Sequence, residues 1–249
     1  MAQNQTLGRG RLLFGRFPSS VFTENVTLQY LGNTPSFAVS QALTTLDHYD
    51  SDQGLKIKDM SVTISADMSA KFTCDDISVN NLALWYLGQT GVGGTAAATG
   101  VSETATATLG GFIQLGVTDA NPGGARNVTT VAITNGAAVT EAGNYTVDLA
   151  AGLISIDPAA TDIADGDVLT ITYNTVLETT STIIPQGSEV FGRLFFQSLN
   201  PVGTRRNHLY RYCKLSPDGD YNLKGDDWQT LNFNVEILSP PTGPRYIIG

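Results

Sequence analysis

The sequence predicts a mainly β protein, a β-sandwich or barrel with one flanking α-helix over about residues 75–87 and a small all-β insert. Three observations carry this. Apolar and polar residues alternate over short runs, most strictly where Leu231, Phe233, Val235 and Ile237 are interleaved with Asn232, Asn234 and Glu236. Charged residues are only 15% of the chain, while Thr, Ser, Asn and Gly abound, a surface suited to β proteins that sit against neighbours. Cys74–Gly88, CDDISVNNLALWYLG, alone has convincing helical spacing, with Ile77, Leu84 and Trp85 on one face and Asn80 and Asn81 on the other. Asp75 or Asp76 is placed to cap this helix and Gly88 to end it. Its apolar second half calls for a sheet to cover it.

Residues 1–22 are basic and Gly-rich, with Arg9, Arg11 and Arg16, and read as an arm holding one short strand. That strand must dock to hide Phe14 and Phe17, although Gly8, Gly10 and Gly15 weaken it. Val26-Leu28-Tyr30 and Phe37-Val39, with a turn at Gly32-Asn33, predict a hairpin. Leu46–Asp59 (LDHYDSDQGLKIKD) reads as an exposed loop leading into a strand through Met60, Val62 and Ile64. Leu55 and Ile57 are out of phase with these, which predicts a bulge near Lys58-Asp59. Lys71–Thr73 is the return strand before the helix. Beyond Gly88, the low-complexity GQTGVGGTAAATGVSETATATLGG reads as a flexible connection or long loop.

Residues 115–178 predict a small sandwich-like module. Val131 and Ile133 alternate with small residues, Tyr145-Val147 faces Ile154-Ile156 across Ala151-Gly152, and Leu169–Tyr173 closes the set. Strong strands resume at Val190–Phe196 and Leu209–Leu215, where Tyr210 and Tyr212 are set opposite Leu209 and Leu215. Strands with bulk on both faces need cover on both. Ser216–Gly219 marks a turn, and a second follows at Gly225–Asp227. The tail SPPTGPRYIIG has three prolines and cannot be a central strand, yet Tyr246–Ile248 is sticky. The expected domain plan is 1–114, 115–178 and 179–249, with the first and last parts forming one β domain.

At 249 residues the chain can bury a sizeable core, and its net charge of −9 argues against binding nucleic acid by neutralising phosphates. Between Leu115 and Glu178 stand eight acids against Arg126 alone, so seven of the nine net charges belong to the middle of the chain. No apolar run at the amino terminus has signal-peptide length, and nothing later is long enough to span a bilayer as a helix. A reducing cytoplasm is therefore expected, with Cys74 and Cys213 as buried thiols. No enzyme, cofactor or metal site is expected. His208 lies at an odd offset from Cys213, which puts the two on opposite faces of one strand. Asp157, Asp162, Asp165 and Asp167 lack the ligand alternation of a calcium loop and read as a solvated acidic turn.

Three runs resemble the major tail tube protein of long-tailed bacteriophages of the siphovirus type. One is Leu46-Asp47-His48 with Gly54-Leu55 and Lys58-Asp59. A second is Phe72-Thr73 with Asp76-Ile77, Asn81-Leu82-Ala83 and Gly88. The third runs from Tyr212 through Leu215, Pro217, Gly219-Asp220-Tyr221, Leu223-Lys224-Gly225-Asp226-Asp227-Trp228 to Phe233. These runs lie in the two parts of the chain that flank the acidic middle. The resemblance implies a tail-tube fold whose copies close into hexameric rings, stacked as a tube that conducts DNA into the host. The implied partners are the chain itself, tail terminator and tail-tip or tape-measure proteins. DNA passes the lumen without specific binding, no membrane is involved, and the implied location is the virion tail, with assembly in the host cytoplasm.

Inter-ring contacts are then expected from Arg9, Arg11, Asp47, His48, Asp50, Asp52 and Leu55, with Arg9 and Arg11 set against Asp50 and Asp52 of the next ring. Asn232, Asn234 and Glu236 are the candidate lumen face, since a basic wall would brake sliding DNA. The acidic middle segment is expected outside the tube. Other virion β-proteins, a tail terminator or a capsid decoration, share this composition, as does a carbohydrate-binding or adhesive β-sandwich.

Overall fold

The computed structural model describes residues 5–52 and 54–249; the first four residues of the expected arm and Gln53 of the 46–59 segment lie outside the described residues. In chain order the elements are β1 (Gly10–Arg16), β2 (Gln29–Tyr30), β3 (Ser36–Asp50), β4 (Ile57–Cys74), α1 (Val79–Trp85), β5 (Gly88–Thr95), β6 (Ala98–Thr106), β7 (Phe112–Gln114) and β8 (Thr129–Asn135). They continue with β9 (Ala137–Val139), β10 (Tyr145–Asp148), β11 (Leu153–Ile156), β12 (Val168–Thr175), β13 (Glu178–Pro185), β14 (Val190–Ser198), β15 (His208–Pro217), β16 (Leu231–Ile237) and β17 (Tyr246–Ile248). The fold is mainly β with one short helix, as the composition and alternation predict.

Two compact units divide the chain, Met1–Thr90 with Ile183–Gly249, and Gly91–Thr182. The chain leaves the first within β5 and returns within β13, and these two strands pair with each other. The expected 115–178 segment falls inside the second unit, which also takes in 91–114 and 179–182.

The first unit is one eight-stranded sheet in the order β2-β1-β14-β15-β16-β4-β3, with β17 added to β15. Its buried face gathers Leu12, Phe14, Phe72, Leu194, Leu215, Leu231, Phe233 and Val235 into one core. The sheet curls, so that Phe37 of β3 stacks on Phe196 of β14 at 5.6 Å between ring centroids. The docked strand of the basic arm is β1. Its glycines are there for close approach, since a Cβ at Gly10 would strike the Gln197 carbonyl and the Phe196 ring. The hairpin expected over 26–39 does not form: β2 pairs with β1, and β3 with β4. The turn at Gly32, φ +82°, joins two different partnerships instead.

The helix is shorter than the 75–87 expected, spanning seven residues, Val79–Trp85. Its cap is Ser78, whose Oγ accepts from the Asn81 N–H at 3.3 Å. Asp75 is spent earlier, accepting from the Asn33 side chain, and the Asp76 carbonyl takes a bond from Asn81. Leu87, at φ 52°, supplies the left-handed residue expected of Gly88. Gly88 is needed by β5, where a Cβ would meet the Ile184 carbonyl at 2.8 Å.

Two further expectations are corrected. The low-complexity run after Gly88 forms β5 and β6, because strand pairing with β13 and β12 orders small residues without large side chains. On β15, Gly192 pairs with Cys213 but Leu194 with Tyr210, so two residues, Arg211 and Tyr212, stand against one. This bulge turns Tyr210, Cys213 and Leu215 into the same core, while Tyr212 packs among Phe17, Phe22 and Phe191 on the other side. The odd-offset argument for His208 and Cys213 fails for the same reason. What separates them is length: five residues of strand, roughly 16 Å.

The second unit is a two-sheet sandwich, β6-β12-β8-β9 and β10-β11-β7. Tyr145 pairs with Ile156 and Val147 with Ile154, as the sequence predicts. Leu115, Ile133, Ile154, Leu169, Ile171 and Tyr173 fill its own core.

Candidate assembly surfaces

The chemistry-bearing residues are tied into structure. Burial pushes the Cys213 thiol up to about 12 and the Cys74 thiol to about 11. The His208 imidazole is pushed down by burial and then by Arg206, and its Nδ1 shares a hydrogen bond with the Tyr246 hydroxyl at 2.7 Å. In the acidic turn, Asp165 accepts from the Leu109 N–H, Asp162 from Asn144, and Asp167 from Asn135 and the Ala164 N–H. Among the described residues, no group of three or more His, Cys, Asp or Glu is placed to hold a metal. No helix there is long and apolar enough to cross a membrane.

Segment 46–59, expected as a loop, is the end of a long hairpin. β3 and β4 pair from Ser36↔Thr73 to Asp50↔Ile57. The bulge predicted near Lys58-Asp59 is present, since His48 pairs with Met60 and Tyr49 with Lys58, leaving Asp59 over. The polar residues that suggested a loop are divided between the two faces of this ribbon, Asp47 on one and His48 and Asp50 on the other. Asp47 accepts from Ser61 at 2.6 Å and pairs with Lys58 at 2.7 Å, which holds its carboxyl below the usual carboxylate range. His48 and Asp59 are 2.6 Å apart, and that bond likewise lowers Asp59.

β16 pairs with β4 only over Met68–Cys74, so among the described residues the hairpin beyond it has no third strand. Leu46 faces Val62, and His48 faces Met60, all on the side opposite Asp47 and Ser61. Leu46 is 65% exposed, Met60 61% and Val62 52%. Leu55 at the tip is exposed, and the Asp50 carboxylate accepts from the Asp52 N–H. Among the described residues no strand pairs with the outer edge of β3, and Ser36–Leu46 carries neither charge nor proline.

Asn232, Asn234 and Glu236 lie together on the face of β16 that points away from the core and from α1. Cross-strand register extends this face through Thr73, Lys71 and Ser69 of β4 to Ser36 and Ser40 of β3. Asn232 accepts from the Thr73 hydroxyl at 2.8 Å, and Ser40 bonds Ser69 at 2.9 Å. Lys71 on it and Lys214 on the adjoining β15 are both paired. Lys71 meets Asp218 at 2.7 Å, and Lys214 meets Glu189 and, at 3.9 Å, Glu236.

Arg9 and Arg11 sit at the start of β1, far along the fold from the hairpin tip, so one copy does not bring them to Asp50 or Asp52. Arg11 lies over the Tyr30 ring. Asn200 draws Arg205 towards Arg9, its carbonyl accepting from the Arg205 guanidinium and its side chain from the Arg9 N–H; neither Arg205 nor Arg206 was singled out from the sequence. The Arg-Arg pair between Gly203 and His208 was the available signal. Of the exposed row of Leu46, Met60 and Val62, the alternation of Met60 and Val62 was legible, though not as an uncovered face, and Leu46 was read as the start of a loop.

A family described as "Protein of unknown function UCP028589" matches residues 5–245 of the chain. No curated protein matches it.

Proposed function

We propose that this chain, which belongs to the family of unknown function UCP028589, is a structural virion protein that builds the tail tube of a long-tailed bacteriophage. In this reading it forms hexameric rings that stack into a hollow conduit for DNA. The observation that carries it is the β3–β4 hairpin. A two-stranded ribbon alone is marginal in water, and this one leaves Leu46, Met60 and Val62 uncovered. From Ser36 to Leu46 its outer edge lacks the charges and prolines that normally blunt a free strand. Closing the sheets of several copies into a ring removes such edges and covers such faces.

The polar face of β16, β4 and β3 suits a lumen. It offers DNA hydroxyls and amides, and its Lys71 and the adjoining Lys214 of β15 are already engaged by carboxylates. A wall without free cations releases few counterions on contact, so DNA slides. The tail terminator and tail-tip or tape-measure proteins are the proposed partners at the two ends, and the enclosing location is the virion tail. Negative-stain microscopy of the purified chain at high concentration tests this. Extended hollow tubes are expected. Monodisperse monomers with no tendency to polymerise would overturn it, isolated rings would point to a terminator, and glycan-binding monomers to an adhesive sandwich.

A further inference from the structure

Arg16, the last residue of β1, reaches across to the carbonyl of Gly88 at the start of β5, which accepts from its Nη1. That bond uses only part of the guanidinium, which carries five N–H donors. Among the described residues its Nε and Nη2 donate to nothing, and Arg16 makes no ion pair. Burial draws the group below the usual arginine value, and no carboxylate acts against that pull. A partly desolvated cation without a counter-ion is destabilising until something answers its charge.

Around Arg16, residues of β1, β2, α1 and β5 border an open cavity of about 490 Å³, within the roughly 300–1,000 Å³ usual for ligand sites. Buried Phe14 and Leu84 lie at its floor, and its lining holds no Asp, Glu or Lys. Asn25, Gln29, Asn80 and Gln89 bring four exposed side-chain amides to it, and none has a hydrogen-bond partner among the described residues. Glu24, beside Asn25 in the chain, is taken up by Arg211. Each group selects its partner. A guanidinium only donates, and its free Nε–Nη2 edge matches the two oxygens of a carboxylate. An amide both donates and accepts, as a hydroxyl does, so four of them suit a ligand with several hydroxyls. One positive charge suits a monoanion.

We propose that this cavity binds an acidic sugar, a polyhydroxylated monocarboxylate of the uronic acid class, with its carboxylate on Arg16 and its hydroxyls among Asn25, Gln29, Asn80 and Gln89. Fastening Gly88 is the structural work of Arg16, but that work needs neither the free edge nor the amides around it. A phosphate also accepts from guanidinium and amide N–H groups, yet it brings up to two charges to one arginine and leaves the amide carbonyls without donors. The cavity lies within one copy and within the first unit, so the inference stands apart from the tube reading.

The test is saturation-transfer NMR on the full chain in phosphate-free buffer, titrated with D-glucuronate. Glucuronate is expected to bind. Glucose, which lacks the carboxylate, and acetate, which lacks the hydroxyls, should each bind about tenfold or more weakly. Arg16→Gln should cut glucuronate affinity about tenfold or more. Because Arg16 also holds Gly88, Asn80→Asp is the second variant. It sets a carboxylate beside the cavity on an exposed residue in the first turn of α1, where an acid does not weaken a helix, and should abolish binding with Tm unchanged. A glucuronate-containing disaccharide that binds more tightly than the monosaccharide identifies a glycan chain as the source, and equal binding a free sugar. Three results would overturn the proposal: no transfer to glucuronate, binding of acetate or inorganic phosphate as tight as that of glucuronate, or undiminished glucuronate binding by Asn80→Asp.

Discussion

Cys213 is fully buried under β14 and β15, and Cys74 is sealed against Leu31 and α1. Both thiols are raised chiefly by burial, to about 12 and about 11. Above the pH at which an unfolded cysteine ionises, the folded chain therefore holds more protons than the unfolded one. Stability must fall as pH rises through that range. Tm is expected to drop steadily above about pH 9, and Cys213→Ala should make that part of the profile shallower, although Tyr210, raised to about 12, adds to it at the alkaline end. A thiol reagent at neutral pH should label neither cysteine until the chain is unfolded; rapid native labelling would contradict the burial. Side-chain size tells a parallel story. Phe72 stacks on Phe233 with centroids 4.7 Å apart, both essentially without exposure. Phe72→Ala is expected to cost about 3–5 kcal/mol in urea unfolding, whereas Trp228→Ala, at a residue 94% exposed, should stay within about 0.5 kcal/mol.

Hairpin residues separate folding from assembly at the level of the element. Leu46 and Val62 face solvent in one copy, so Leu46→Lys with Val62→Lys removes little that a single copy has buried. Unfolding free energy should change by less than about 1 kcal/mol, while polymer disappears from sedimentation at the concentration where the parent assembles. Loss of the monomer fold instead would mean the ribbon is part of the core. Ser78→Ala at the start of α1 should cost about 1 kcal/mol and leave assembly intact. How far each element was legible follows from what fixes it. β16 could be read in full because strict alternation faces a single core, and the Asp59 bulge because the phase of Ile57 breaks against Met60. β3 could not, since Asp47 and His48 look like loop residues until Ser61, Lys58 and Asp59 are known to lie across from them. β5 and β6 were hidden for a related reason: their order comes from ladder partners sixty or more residues away. The β15 bulge left no mark in the residue pattern, and it reverses the faces of everything before it. For the candidate surfaces, the Asn232-Asn234-Glu236 face was readable, but the pairing of Lys71 and Lys214 was not, because Asp218 and Glu189 come from separate turns.

For the whole molecule, the two units differ in what they contribute. Gly91–Thr182 contains nine acids and one base, so it carries eight of the chain's nine net negative charges and the first unit is close to neutral. The surfaces argued to drive assembly, the hairpin and the free β3 edge, both belong to the first unit. Gly88 lies against Ile184 and Gly94 against Glu178, so β5 and β13 run antiparallel, which puts Thr90 opposite Thr182. Removing residues 91–181 and joining Thr90 to Thr182 through Asn-Gly therefore asks only for a two-residue hairpin turn of a favoured kind. The shortened chain should fold and still form tubes, because the core around Phe72 and Phe233 takes nothing from the second unit. It should also lose solubility: particles with about one net charge per copy repel weakly and gather into bundles. Microscopy of the shortened chain in low salt separates the outcomes. Bundled tubes are expected, dispersed tubes would mean the acidic unit does not govern solubility, and absence of any ring would place assembly contacts within Gly91–Thr182.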